Sequence, residues 1–203
     1  MNKSKWIHCA GLVAAVAFSG SISSASDLEE DDLRPLSGEY RVVITSSCVR
    51  TPYQPARAAG FDANTKQLLV EGEMLTALGS GLMRFSLDGT VQILEGVQTE
   101  VSLDQYAAGK TPVAPPVEFT CSGTYTRQGR KLLLNLPCDI KVPNFGVTVT
   151  LGPQEFEGYL SRNRQSVNVT NIAGGIQTIT VSVGGTPTQQ RQRICTQQVS
   201  GSK

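Results

Sequence analysis

The chain has 203 residues, with 18 Lys and Arg against 17 Asp and Glu and a single histidine, His8. That near-neutral balance gives no general electrostatic pull toward nucleic acid or an anionic membrane, so no nucleic-acid partner is expected. One histidine, close to the start, leaves little room for the commonest general base and metal ligand.

Lys3 and Lys5 precede an apolar run from Trp6 to Phe18, which the small, polar segment Ser19–Ser26 follows. Basic, apolar and small-residue regions in that order predict a secretory signal peptide over residues 1–26, cleaved after Ala25 or Ser26. The apolar run is about 13 residues, short of the roughly 20 that a spanning helix needs. The protein is therefore expected to be periplasmic or secreted, with no transmembrane segment after signal removal. The mature part carries 16 Lys and Arg against 17 Asp and Glu, and no histidine. Ser-His-Asp and Cys-His centres and histidine-based zinc sites are thereby excluded. No catalytic residue, cofactor or metal site is expected, and the chain is read as a non-enzyme.

Residues 27–35, Asp-Leu-Glu-Glu-Asp-Asp-Leu-Arg-Pro, predict a disordered acidic leader. A single domain is expected over residues 36–198, with residues 199–203 as a flexible tail. Tyr40–Thr45 reads as a strand with Tyr40, Val42 and Ile44 on one face. The stretch Thr51–Thr65, with Pro52, Pro55 and Gly60, reads as a loop, with a short helical turn at Pro55–Ala59. Lys66–Val70 predicts a further strand. From Leu82 to Leu94, Met83, Phe85 and Leu87 alternate with polar neighbours, and Asp88-Gly89 marks a two-residue hairpin turn before Val91 and Ile93. The proline-rich segment Thr111–Val117 is a second loop. Hairpins are predicted about Gln128-Gly129 and about Arg162–Arg164, with Val147–Leu151 as a strand between them. Ile176–Val183, Gly184-Gly185 and Gln190–Gln197 make the last pair. No helical periodicity stands out.

This pattern predicts an all-β fold: an antiparallel up-and-down β-barrel of about 8 strands, with a β-sandwich as the alternative. Four cysteines survive cleavage, and without a C-x-x-C pair they read as two disulfides rather than a zinc site. Cys121 and Cys138 lie at near-equal distances from the Gln128-Gly129 turn and would face each other across the hairpin. Cys48 follows the first strand and Cys195 lies in the last, so a bridge between them would lock the seam of a closed barrel.

Ser37-Gly38-Glu39-Tyr40, Cys121-Ser-Gly-Thr-Tyr125, Glu157-Gly-Tyr-Leu160 and Arg193-Ile-Cys195 together resemble lipocalin-like (calycin-type) barrels of bacterial exported proteins, over about residues 36–198. The resemblance implies a central cavity suited to a small apolar molecule. Tyr40 stands where that family carries a tryptophan, and Arg193 or Arg191 would supply the arginine that packs over it. Tyr40, Phe85, Tyr125 and Tyr159 are the candidate ligand-lining residues. Glu71 with Glu73, and Glu155 with Glu157, read as exterior charge. Two functions follow as expectations: a non-enzymatic module binding a small apolar or amphipathic ligand inside the barrel, or a filled structural module engaging an envelope protein through loops 51–65 and 111–117.

Overall fold

The computed structural model describes residues 36–141, 147–172 and 174–203, so the predicted signal segment and acidic leader lie outside the described residues. Twelve strands form one antiparallel sheet: β1 (Gly38–Arg50), β2 (Gln54–Pro55), β3 (Glu73–Phe85), β4 (Thr90–Ser102), β5 (Val117–Gln128), β6 (Lys131–Asn135), β7 (Cys138–Lys141), β8 (Val147–Leu151), β9 (Glu155–Leu160), β10 (Ser166–Asn171), β11 (Ile176–Val183) and β12 (Thr186–Ser202). One short helix, α1 (Leu103–Ala107), follows β4.

The pairings close on themselves. β1, β3, β4 and β5 follow in order, then β6 with β7, β9 with β8, β10 with β11, and finally β12, which returns to β1. Strands β6/β7, β8/β9 and β10/β11 are three long staves broken at mid-height, so the ring has eight staves in up-and-down order. The breaks have local causes. Pro137 and Pro153 have no N–H to give a ladder, and Gly174-Gly175 interrupts the third stave. The wall stays bonded across them: the Leu136 amide donates to the Gln154 carbonyl at 3.0 Å, and the Gly152 amide to Thr178 at 2.8 Å.

Along β1, Tyr40, Val42, Ile44, Ser46 and Cys48 point inward and their neighbours outward, the period of two that a half-buried strand requires. Where the bend is tightest, no side chain fits. A Cβ on Gly123 would sit 1.8 Å from the Asn135 carbonyl oxygen, and one on Gly158 would sit 2.0 Å from that of Asn168. Both predicted disulfides are present. Cys48 pairs in register with Cys195 between β1 and β12, and Cys121 with Cys138 between β5 and β7. Among the described residues, no helix is long and apolar enough to cross a membrane.

Several expectations are corrected. Residues 199–203 are not a tail, because the last strand runs to Ser202 and pairs with both β1 and β10, burying Val199. Their Gly and Ser content hides an inward Val199 and Gly201 that continue the alternation. Lys66–Val70 forms no strand and makes only an isolated bridge, Phe61 with Leu68. Pro55–Ala59 holds a single turn, Ala58 amide to Pro55 carbonyl, instead of a helical one. The β3–β4 connection is longer than two residues. Ser86 bonds Thr90, Gly89 takes φ +84°, and Leu87 sits exposed on the turn. α1 was not foreseen; its cap is Ser102, whose hydroxyl accepts from the Gln105 amide.

Candidate functional site

The barrel interior has two unlike halves. At the end carrying the tight turns, Leu36, Tyr40, Met83, Phe85, Tyr125, Leu132, Leu160 and Val167 form one packed cluster. Tyr40 and Phe85 meet edge to face at 5.7 Å, and Phe85 and Tyr125 at 5.1 Å. The Tyr125 hydroxyl donates to the carbonyls of Leu36 (2.6 Å) and Ser86 (3.0 Å), and Tyr40 donates to that of Arg164 (2.9 Å). Burial raises both phenol pKa values, against nearby arginine charge that lowers them. These aromatics plug the end, and none of them lines the chamber in the other half of the barrel.

Tyr159 does not join them. It points outward, 59% exposed, because the inward position beside it belongs to Gly158, with Phe156 and Leu160 as the inward side chains of β9. The arginine expected over Tyr40 is also misplaced: Lys203 is the cation there, 5.3 Å from the ring, while Arg191 covers Tyr53 at 4.4 Å. Arg193 lies opposite Arg50, at the far end of β1 from Tyr40.

The other half ends in the long connections 51–72 and 103–116. Its apolar residues form two separate patches, Cys48–Leu75–Ala77–Cys195 on β1, β3 and β12 and Val149–Leu151–Ile179 on β8 and β11. Polar groups stand in the same half. Arg50 forms ion pairs with both Glu73 and Glu100, and Ser102 donates to Glu73 at 3.3 Å. Burial works against the Arg50 charge, but Glu100 and Glu73 outweigh it and raise its pKa. Arg193 is 2% exposed and donates from Nε to Gln177 Oε1 at 2.6 Å. Gln177 in turn donates to the Gly152 carbonyl at 2.8 Å, so one amide both seals a broken stave and orients a guanidinium. Asn171 does similar sealing, donating to the Cys195 carbonyl and accepting from the Gln197 amide.

Burial pushes the Arg193 pKa down to about 10 from 12.5, with Glu100 opposing and Arg191 and Arg50 adding to the fall. A guanidinium keeps its proton in proteins, so the downward shift marks a charge that the fold holds at a desolvation cost. Burial, then the like charge of Arg50, also lowers the Arg191 pKa. Its Nε is buried without a hydrogen-bond partner. Between these groups lies a chamber of about 50 Å³, lined by Gln98, Glu100, Phe119, Gln177, Arg191 and Arg193 among others. That is room for a few waters or one small polar group, not a lipid.

Sequence reading missed Gln98, Glu100, Gln177, Arg191 and Arg193 as interior groups. Cys195 carried the signal for two of them, since Arg193 and Arg191 share its face of β12. At the rim, Leu68, Leu69, Val70, Met74, Leu103 and Tyr106 are exposed. α1 is tied to the start of β3 by the Met74 amide donating to Asp104 at 2.9 Å. The segment 111–117 folds back along β4 through Ser102 to Pro112 and Ala114 to Glu100 bonds. Glu157 pairs with Lys131 on the barrel exterior at 2.8 Å. Among the described residues, no three His, Cys, Asp or Glu side chains gather as metal ligands would.

No protein-family model, no curated protein and no solved structure matches this chain.

Proposed function

We propose that this chain is an exported, non-enzymatic interaction module of the cell envelope, a rigid barrel with a filled core that engages a protein partner through the loops at one end. The observation that carries this reading is the contrast between interior and rim. The chamber lined by Arg191 and Arg193 holds about 50 Å³, whereas small-molecule sites measure roughly 300–1,000 Å³. The rim holds Leu68, Leu69, Val70, Met74, Leu103 and Tyr106 exposed on connections around the start of β3. Exposed apolar groups clustered on loops over a rigid scaffold mark recognition surfaces. Two disulfides and the signal-like first 26 residues support export to an oxidising compartment. A mature chain without histidine supports the non-enzymatic reading. The eight-stave meander supports the lipocalin-like resemblance in architecture, without a lipid-sized cavity.

A photo-crosslinking residue in place of Tyr106, in the full chain expressed in its native host, is expected to capture one discrete protein. Leu69→Asp should abolish that adduct and leave the melting temperature unchanged. Saturable uptake of a fluorescent apolar probe by the purified chain, unaffected by Leu69→Asp, would overturn the reading in favour of a ligand held inside the barrel.

A further inference from the structure

Independently of the rim, the chamber carries a charge imbalance that points to a ligand. Three guanidiniums, Arg50, Arg191 and Arg193, stand in the open half with two carboxylates, Glu73 and Glu100. Both carboxylates are engaged by Arg50. Arg193 has a neutral amide as its hydrogen-bond partner, and Arg191 has a tyrosine ring and an unmet, buried Nε. Two like charges at alternate positions of one strand, on the same face, repel each other more strongly in a dry interior than in water.

We propose that the chamber is a binding site for a small monoanion, the carboxylate of a compact organic acid, held by Arg191 and Arg193. One negative charge brings the half to neutrality, three against three. A dianion such as hydrogen phosphate overshoots and meets the Glu100 carboxylate, which lines the same chamber. The fork of N–H donors on a guanidinium matches the two oxygens of a carboxylate. The volume of about 50 Å³ takes such a group and excludes a long acyl chain. Gln177 positions Arg193 and leaves its remaining donors for the anion. Phe119, Ile140, Leu151 and Ile179, which also line the chamber, offer an apolar wall to a short organic body.

The test uses the purified full chain, titrated with formate, acetate and propionate beside the matching amides and inorganic phosphate. Calorimetry and thermal melts are the readouts. The carboxylates should bind saturably and raise the melting temperature, each at least about 10-fold tighter than its amide, the size expected of a charge-assisted bond. Phosphate should bind more weakly than the best carboxylate. Arg193→Met removes a buried charge but leaves the Gln177 Oε1 acceptor unmet, so the folded variant should lose the carboxylate response whatever its own melting temperature. Arg191→Gln is the second variant, should the first fail to fold, and should weaken binding about 10-fold or more. No saturable response to any carboxylate, equal binding of amides, or an undiminished response in the folded variants would overturn the proposal.

Discussion

Tyr125 shows how one hydroxyl can close a barrel end. Its oxygen reaches two backbone carbonyls at that end, Leu36 and Ser86, the second of which also accepts from the Gly89 amide. Tyr125→Phe keeps the edge-to-face contact with Phe85 and takes the hydroxyl donor from the Leu36 carbonyl, so a loss of about 1–2 kcal/mol is expected from urea unfolding. The same residue sets a pH limit. Burial raises the folded pKa of Tyr125 and Tyr40 above the ordinary phenol value of 10.0. Their contribution is therefore full below that value and is lost as pH rises through the folded one. Melts taken upward from pH 9 should show an alkaline decline, which the Tyr40→Phe, Tyr125→Phe double variant flattens. An unchanged slope would mean that other groups set the limit.

At the scale of elements, β4 holds the lesson about which residues reach the interior. Val91 and Ile93 face in, and the strict alternation would continue to Val97, Thr99 and Val101. Instead the register slips by one residue, between Leu94 and Val97 against β3 and between Ile93 and Gly96 against β5, with Glu95 at φ +53°. That bulge inverts the remainder of the strand. Val97 becomes exposed, while Gln98 and Glu100 turn into the chamber. The inward glycines are the counterpart. Gly123→Ala and Gly158→Ala would each force a methyl into a neighbouring strand's carbonyl, where backbone and not a flexible side chain must yield. Each is expected to cost at least about 3 kcal/mol or prevent folding, against about 1 kcal/mol for an ordinary strand substitution. Gly109→Ala, whose Cβ meets nothing within 4 Å but whose φ is +69°, is the control for backbone strain alone.

The whole molecule is held by a seam. Cys48–Cys195 spans 147 residues and Cys121–Cys138 spans 17. In the chain-entropy model the longer loop contributes about 5 kcal/mol and the shorter about 3 kcal/mol. Replacing both cysteines of the seam by alanine should lower the melting temperature more than replacing the hairpin pair, with differential scanning calorimetry as the measure. Equal losses would assign the closure to the β1–β12 ladder alone, whose ten register pairs run from Arg41–Ser202 to Arg50–Arg193. The polar half fits the same whole-molecule view. Its arginines are costly inside a closed wall, and the fold keeps them in place with Gln177, Glu73 and Glu100.

The amino-acid order by itself carried the antiparallel meander, the two bridges and the inward aromatic positions, because each rests on local signals: alternation, turn glycines, cysteine spacing; that those aromatics pack into a filled end is a product of the tertiary structure. Tyr40, Phe85 and Tyr125 were legible as inward residues for that reason, and Tyr159 was misread because one position separates the two faces of a strand. Only the tertiary structure decided that Arg191, Arg193, Gln177, Gln98 and Glu100 meet around one chamber. They come from β12, β11 and β4, and a bulge one residue long sets which way β4 faces. Facing across a barrel is a property of register and closure, which no short stretch of sequence carries.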